Sequence, residues 1–205
     1  MHKLTLFVHK YSKNMKKKIA VFASGSGTNA ENIADYFSGN RKIEISMIVS
    51  NKKDAFVHER AKKRKIPSYF FSANQFKESD DVLHFLKTEQ IDWIVLAGFL
   101  LKIPENLLRA FPGKIINIHP ALLPKFGGKG MYGNRVHEAV VAAGENKSGI
   151  TIHYVNENYD EGEIIFQAAC EVLPDDTPEK VAEKVHALEY EYFPRVIESV
   201  VIRDT

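Results

Sequence analysis

A chain of 205 residues, 44% hydrophobic and 26% charged, has the composition of one ordinary globular domain with a sizeable core, not that of a disordered or membrane-embedded chain. The formal net charge of +2, from 28 basic and 26 acidic residues, gives no global field for a nucleic acid or an anionic membrane, so neither is expected as a partner. Cys170 is the only cysteine, which excludes an intrachain disulfide framework and a cysteine metal cluster and fits a reducing, cytoplasmic setting.

Residues 1–14 read as an N-terminal extension, expected to be poorly ordered, ahead of a single domain over 15–205 with Met15 as a candidate start. Leu4 to Val8 is too short for a secretory apolar region, and no apolar run approaches the ~20 residues of a membrane helix. The basic runs Lys16 to Lys18 and Lys62 to Lys65 read as solvated surface.

Lys18 to Ala23 is a short apolar run between lysines and a Gly/Ser cluster, the pattern of a strand buried on both faces. Asn29 to Phe37 predicts a helix. The unit repeats: strand Ile43 to Val49, helix Ala55 to Arg64, strand Ser68 to Phe71, helix Asp80 to Glu89, strand Trp93 to Ala97, helix Pro104 to Ala110 and strand Lys114 to Ile118. Such alternation predicts a Rossmann-like α/β fold, a mostly parallel sheet covered by helices on both faces. After a helix over Tyr132 to Ala143 the pattern changes. Gly149 to Val155 and Glu163 to Val172 are strand-like runs separated by too few residues for a crossover helix, so an antiparallel hairpin is expected. A long helix from Pro178 to about Val201 closes the chain, capped by Asp176 or Thr177.

In an open sheet of this kind ligands bind beyond the carboxyl ends of the strands, so four loops hold the candidates. Ser24-Gly25-Ser26-Gly27-Thr28-Asn29 turns from strand to helix. Its glycines let backbone N–H groups approach an anion at a helix N-terminus, although the same residues fit a plain tight turn. Gly98-Phe99-Leu100-Leu101 presents apolar residues that suit a planar ligand or ordinary packing. In Asn117-Ile118-His119-Pro120, strand alternation puts the amide and the imidazole on one side, and Pro120 ends the strand. Asp160-Glu161-Gly162 fits a turn, or a carboxylate placed for a nearby histidine.

Taken in order, Gly25-Ser26-Gly27-Thr28-Asn29, Val49-Ser50-Asn51-Lys52, Leu96-Ala97-Gly98-Phe99, Asn117 to Pro124 and Asp160-Glu161-Gly162 resemble the phosphoribosylglycinamide formyltransferases, the glycinamide ribonucleotide transformylases of the folate-dependent formyltransferase family. The resemblance runs from about Lys18 to about Val201. It implies transfer of a formyl group from 10-formyltetrahydrofolate, a co-substrate, to the amine of glycinamide ribonucleotide in purine biosynthesis, with no metal. It also implies Asn117, His119 and Asp160 as catalytic residues. Gly25, Gly27, Thr28, Asn29 and Glu189 would hold the ribonucleotide. Leu100, Leu101, Lys102 and Ile103, with Asn117, Asn156, Glu157, Asn158, Tyr159 and Asp160, would surround the folate. A cis Leu123-Pro124 bond is implied as well.

The chemistry asks for the same groups. Attack of an amine on a formyl carbon builds an oxyanion, which needs a preorganised donor, and moves a proton, which needs a group titrating near neutrality. Asp160 is expected to favour the charged imidazolium of His119. Two departures stand out. Leu100-Leu101-Lys102 replaces a more basic family pattern, and Phe126 to Arg135 is longer and richer in glycine, a candidate mobile loop. The alternatives within the chemistry are a formyltetrahydrofolate hydrolase or a formyltransferase for methionyl-tRNA or a sugar nucleotide, which generally carry a further domain. Outside it stands a catalytically silent folate- or nucleotide-binding module. Monomer and homodimer are both open.

Overall fold

Ile19, Ala20, Val21 and Phe22 are all fully buried, because the strand they form lies in the middle of the sheet with helices on either side. The computed structural model describes residues 16–204, so the expected extension over 1–14 and the candidate start at Met15 lie outside the described residues. Among the described residues seven strands, β1 (Lys17–Phe22), β2 (Ile43–Ser50), β3 (Ser68–Phe70), β4 (Trp93–Leu96), β5 (Ile115–His119), β6 (Lys147–Tyr154) and β7 (Ile164–Glu171), form one sheet in the order β3-β2-β1-β4-β5-β6-β7. The helices are α1 (Thr28–Tyr36), α2 (Val57–Lys63), α3 (Ala73–Glu78), α4 (Asp81–Thr88), α5 (Glu105–Ala110), α6 (Asn134–Ala142) and α7 (Pro178–Arg203).

Strand alternation divides the core. Ile19 and Val21 of β1 join Ile116 and Ile118 of β5 under α1, α2, α6 and α7, where Ile33, Val140, Val185 and Phe193 complete one layer. Ala20 and Phe22 face the other way, toward Met47, Ile94 and Leu96 and the helical residues Phe76, Leu86 and Leu107. In that second layer Phe22, Phe76 and Phe99 pack edge-to-face or tilted, with ring centres 5.1 to 5.8 Å apart.

β1 pairs in parallel with both β2 and β4, so the chain leaves the centre in one direction and returns to extend the sheet in the other. Beyond β1 and β4 the chain crosses to opposite faces of the sheet, into α1 and α5, which sets a crevice at the carboxyl ends of these strands. The expected β6–β7 hairpin is present, and β5 also pairs antiparallel with β6, opposing Asn117 to His153 and His119 to Thr151. β5 runs one residue further than the sequence reading had it and ends on His119 itself.

Other boundaries shift for local reasons. Helix α2 starts at Val57, with Phe56 at its N-cap, and α6 waits for Asn134, because Gly133 ahead of it has φ 55° and ψ −139°. Helix α3 was not anticipated, although Ser72 and Gln75 form a reciprocal capping box before it. Thr177 caps α7 by accepting the Lys180 N–H, while Asp176 accepts from Leu173 and pairs with Lys184. Pro194 sits inside α7 and cannot bond the carbonyl one turn back. That carbonyl, Tyr190 O, accepts instead from Asn32 Nδ2 of α1 at 2.9 Å, which compensates the break and ties α7 to α1. The Leu123-Pro124 bond is cis.

Candidate active site

The loop after β1 turns on Gly27, whose φ of 74° caps α1 without any side-chain acceptor for the first helical N–H groups. A Cβ there would stand 2.3 Å from Val57 Cγ2, so only glycine fits. Ser24, fully buried, joins this loop to its neighbours. Its N–H donates to Gly98 O at 3.0 Å, its hydroxyl donates to Asn51 Oδ1 at 2.5 Å, and the same Oγ accepts the Leu100 N–H at 2.9 Å. The loop after β4 is thus fixed against the loop after β1. Phe99 is buried in the aromatic layer, while Leu100 is 40% exposed.

Asn117 and His119 emerge from β5 at the third loop, as alternation required. His119 Nε2 lies 2.7 Å from Phe126 O, an oxygen that can only accept, so Nε2 carries the hydrogen and Nδ1 of the neutral ring is free to take a proton. Nδ1 stands 3.4 Å from Asp160 Oδ2. The other Asp160 oxygen is 3.7 Å from His153 Nε2.

By the same logic His153 Nδ1 donates to Tyr154 O at 2.8 Å, which leaves Nε2 of the neutral ring to accept from Asn117 Nδ2 at 3.1 Å. One Asn117 N–H is engaged and the amide is oriented, with the second N–H left for a ligand. Gly162 backs this group closely, since a Cβ there would lie 1.7 Å from Tyr154 O.

The glycine-rich stretch reaches the same residues through its backbone. Phe126 adopts φ 56° and turns its carbonyl to His119, and Gly128 N–H donates to Asp160 Oδ2 at 2.9 Å. Asp160 itself has φ 58°, so two non-glycine residues in the left-handed region meet at one site.

Burial raises the pKa of Asp160, but His153, His119 and the Gly128 N–H outweigh it and hold the carboxyl below its ordinary value. For His119 the balance is opposite to expectation. Burial lowers its pKa more than Asp160 and the Phe126 carbonyl raise it, which favours the neutral ring.

On α7, buried Glu189 accepts from Asn29 Nδ2 at 2.9 Å and lies 2.7 Å from His186 Nδ1, bringing together residues 160 apart in sequence. That bond raises the His186 pKa against the effect of burial.

These groups surround one cavity of about 640 Å³. Gly25, Gly27, Thr28, Asn29 and Glu189 line it, as do Leu100, Leu101, Lys102, Ile103, Asn117, His119, Asn156, Asn158, Tyr159 and Asp160. Glu157 is exposed and is not on the cavity wall. Sequence reasoning missed His153, His137 and His186, which also line the cavity. Only His153 had a signal, the alternation of Thr151 and His153 in a run predicted to be a strand. Among the described residues no helix is long and apolar enough to cross a membrane.

Residues 17–197 match the model of the formyl transferase family. The chain is 42% identical over 191 residues to the chloroplastic phosphoribosylglycinamide formyltransferase of Arabidopsis thaliana, covering 90% of this chain and 65% of that one, just under two thirds of its length. It is 40% identical to the phosphoribosylglycinamide formyltransferase of Haemophilus influenzae, over 88% of this chain and 85% of that one. The crystal structure of the Bacillus halodurans phosphoribosylglycinamide formyltransferase superposes with a TM-score of 0.82 at 35% identity, covering 92% and 97% of the two chains.

Proposed function

This chain belongs to the formyl transferase family, and we propose that it transfers the formyl group of 10-formyltetrahydrofolate to the amine of glycinamide ribonucleotide, giving formylglycinamide ribonucleotide and tetrahydrofolate in purine biosynthesis. The observation that carries this reading is the meeting of Asn117, His119 and Asp160 at the cavity between a glycine loop and an apolar loop.

In this reading the ribonucleotide phosphate takes the uncapped N–H groups at the start of α1, where the helix dipole favours an anion. The folate pterin lies along Leu100, Leu101, Lys102 and Ile103 and against Asn156, Asn158 and Tyr159. A cavity of this size is in the usual range for small-molecule sites. The cytoplasm is the expected location, and the substrates are small molecules.

The amine nitrogen bonds to the formyl carbon, and the C=O electron pair moves onto oxygen. The free Asn117 N–H donates to that oxyanion in a preorganised orientation set by His153. The new ammonium gives up a proton to His119 Nδ1, where Asp160 stabilises the imidazolium. Collapse restores the C=O bond and breaks the bond to the folate nitrogen, which takes the electron pair and the proton from His119. Atoms and charge balance.

Mixing the protein with both substrates and following tetrahydrofolate and formylglycinamide ribonucleotide tests this. Equal formation of the two supports the assignment. Formate released without the ribonucleotide indicates a hydrolase, and binding of both ligands without product indicates a silent module.

A further inference from the structure

Four buried side-chain polar atoms have no hydrogen-bond partner among the described residues: Asn29 Oδ1, Trp93 Nε1, His137 Nδ1 and Ser148 Oγ. Native folds satisfy nearly all such groups, so each exception calls for an explanation. Trp93 and Ser148 are not on the cavity wall, whereas Asn29 and His137 both are. His137 is only 1% exposed, and it comes from the first half of α6, directly after the glycine-rich stretch.

The two orphans belong to one corner. The His137 ring centre is 6.3 Å from that of His186, His186 Nδ1 is 2.7 Å from Glu189 Oε2, and the same oxygen accepts from Asn29 Nδ2. The corner is therefore rich in acceptors: a buried carboxylate, an amide oxygen with no donor, and an imidazole with an unpaired nitrogen. A phosphate would be repelled by Glu189 here and has the N–H groups of the β1 loop beside it. A sugar hydroxyl donates one hydrogen bond and also accepts, so the neighbouring hydroxyls of a ribose can donate to two of these acceptors and accept from an imidazole N–H.

We propose that His137 is a further sugar-contact residue, hydrogen-bonding a ribose hydroxyl of the ribonucleotide alongside Glu189 and Asn29. The assignment rests on the proposed substrate and adds to it a residue that neither composition nor motif singled out. His137 is on the cavity wall beside Asn29 and Glu189, so a hydroxyl held in this corner is within reach of its ring.

The test compares wild type, His137→Ala and His137→Gln, the last retaining one donor and one acceptor, with thermal unfolding as the control for folding. Calorimetric binding of glycinamide ribonucleotide without folate should weaken about tenfold in His137→Ala, the factor for one hydrogen bond of ~1.4 kcal/mol, and recover in part in His137→Gln. In turnover the KM for the ribonucleotide should rise while the KM for the folate stays within about twofold. A ribonucleotide analogue lacking the ribose hydroxyls should bind wild type and His137→Ala alike. Unchanged ribonucleotide binding in a folded His137→Ala, or equal losses for ribose and deoxyribose ligands, overturns the inference. A wild type that binds the ribonucleotide without transferring formyl would overturn the proposed reaction and leave this binding result standing, and a wild type that does not bind it overturns both.

Discussion

The two halves of the sheet contribute different kinds of chemistry. The parallel half, β3-β2-β1-β4, offers the cavity mainly backbone and apolar groups: uncapped N–H groups after Gly27 and the exposed Leu100. The antiparallel half, β5-β6-β7, offers titratable and amide side chains: Asn117, His119 and His153 in register across two strands, with Asp160 in the turn that joins β6 to β7. Parallel strands end in helix N-termini, which suit anions and the backs of flat ligands. Antiparallel neighbours put side chains directly opposite one another, which suits short hydrogen bonds between them.

The division can be broken on the catalytic side first. His119→Ala should reduce kcat by about 10³, within the usual range for a general acid–base group, while unfolding shows the protein intact. Near wild-type turnover in a steady-state assay would remove His119 from the mechanism.

His153→Leu should cost about 10² in kcat by releasing the Asn117 amide, the scale of a misplaced catalytic group. A change confined to KM would show that His153 binds substrate and does not orient Asn117.

The pH profile sharpens the proton assignment. Because the His119 pKa is below the ordinary value of about 6.5, the proton-accepting form persists through pH 6.5. The acid limb of kcat/KM should lie lower, falling about tenfold per pH unit beyond it. A limb well above pH 6.5 would contradict the neutral ring.

The smallest effect is expected away from the cavity. Asn32→Ala frees the carbonyl that Pro194 leaves unpaired and should cost roughly 1 kcal/mol in denaturant unfolding. No loss of stability would mean that this link between α1 and α7 contributes nothing.

Much of this was legible in the sequence. The alternation of short apolar runs with amphipathic helices carried the fold class, and Asn117-Ile118-His119-Pro120 carried the corner, because both are local patterns. His153 was not legible as a partner of Asn117, since the pairing depends on β6 joining β5 antiparallel, a fact of topology and register. The lowered pKa of His119 is hidden for a related reason: a nearby carboxylate can be guessed from a motif, but the burial that outweighs it depends on tertiary packing around the ring. Glu157 differs from its neighbours Asn156 and Asn158 in being off the cavity wall, a distinction that its position in a motif does not reveal.

The central claim, that the Asn117, His119 and Asp160 group carries the transfer, is tested most directly by single-turnover formyl transfer in wild type and Asp160→Asn at saturating concentrations of both substrates. The account predicts product in wild type and a rate about 10³ lower in the isosteric variant, whose amide cannot stabilise the imidazolium. An Asp160→Asn rate equal to wild type would contradict it.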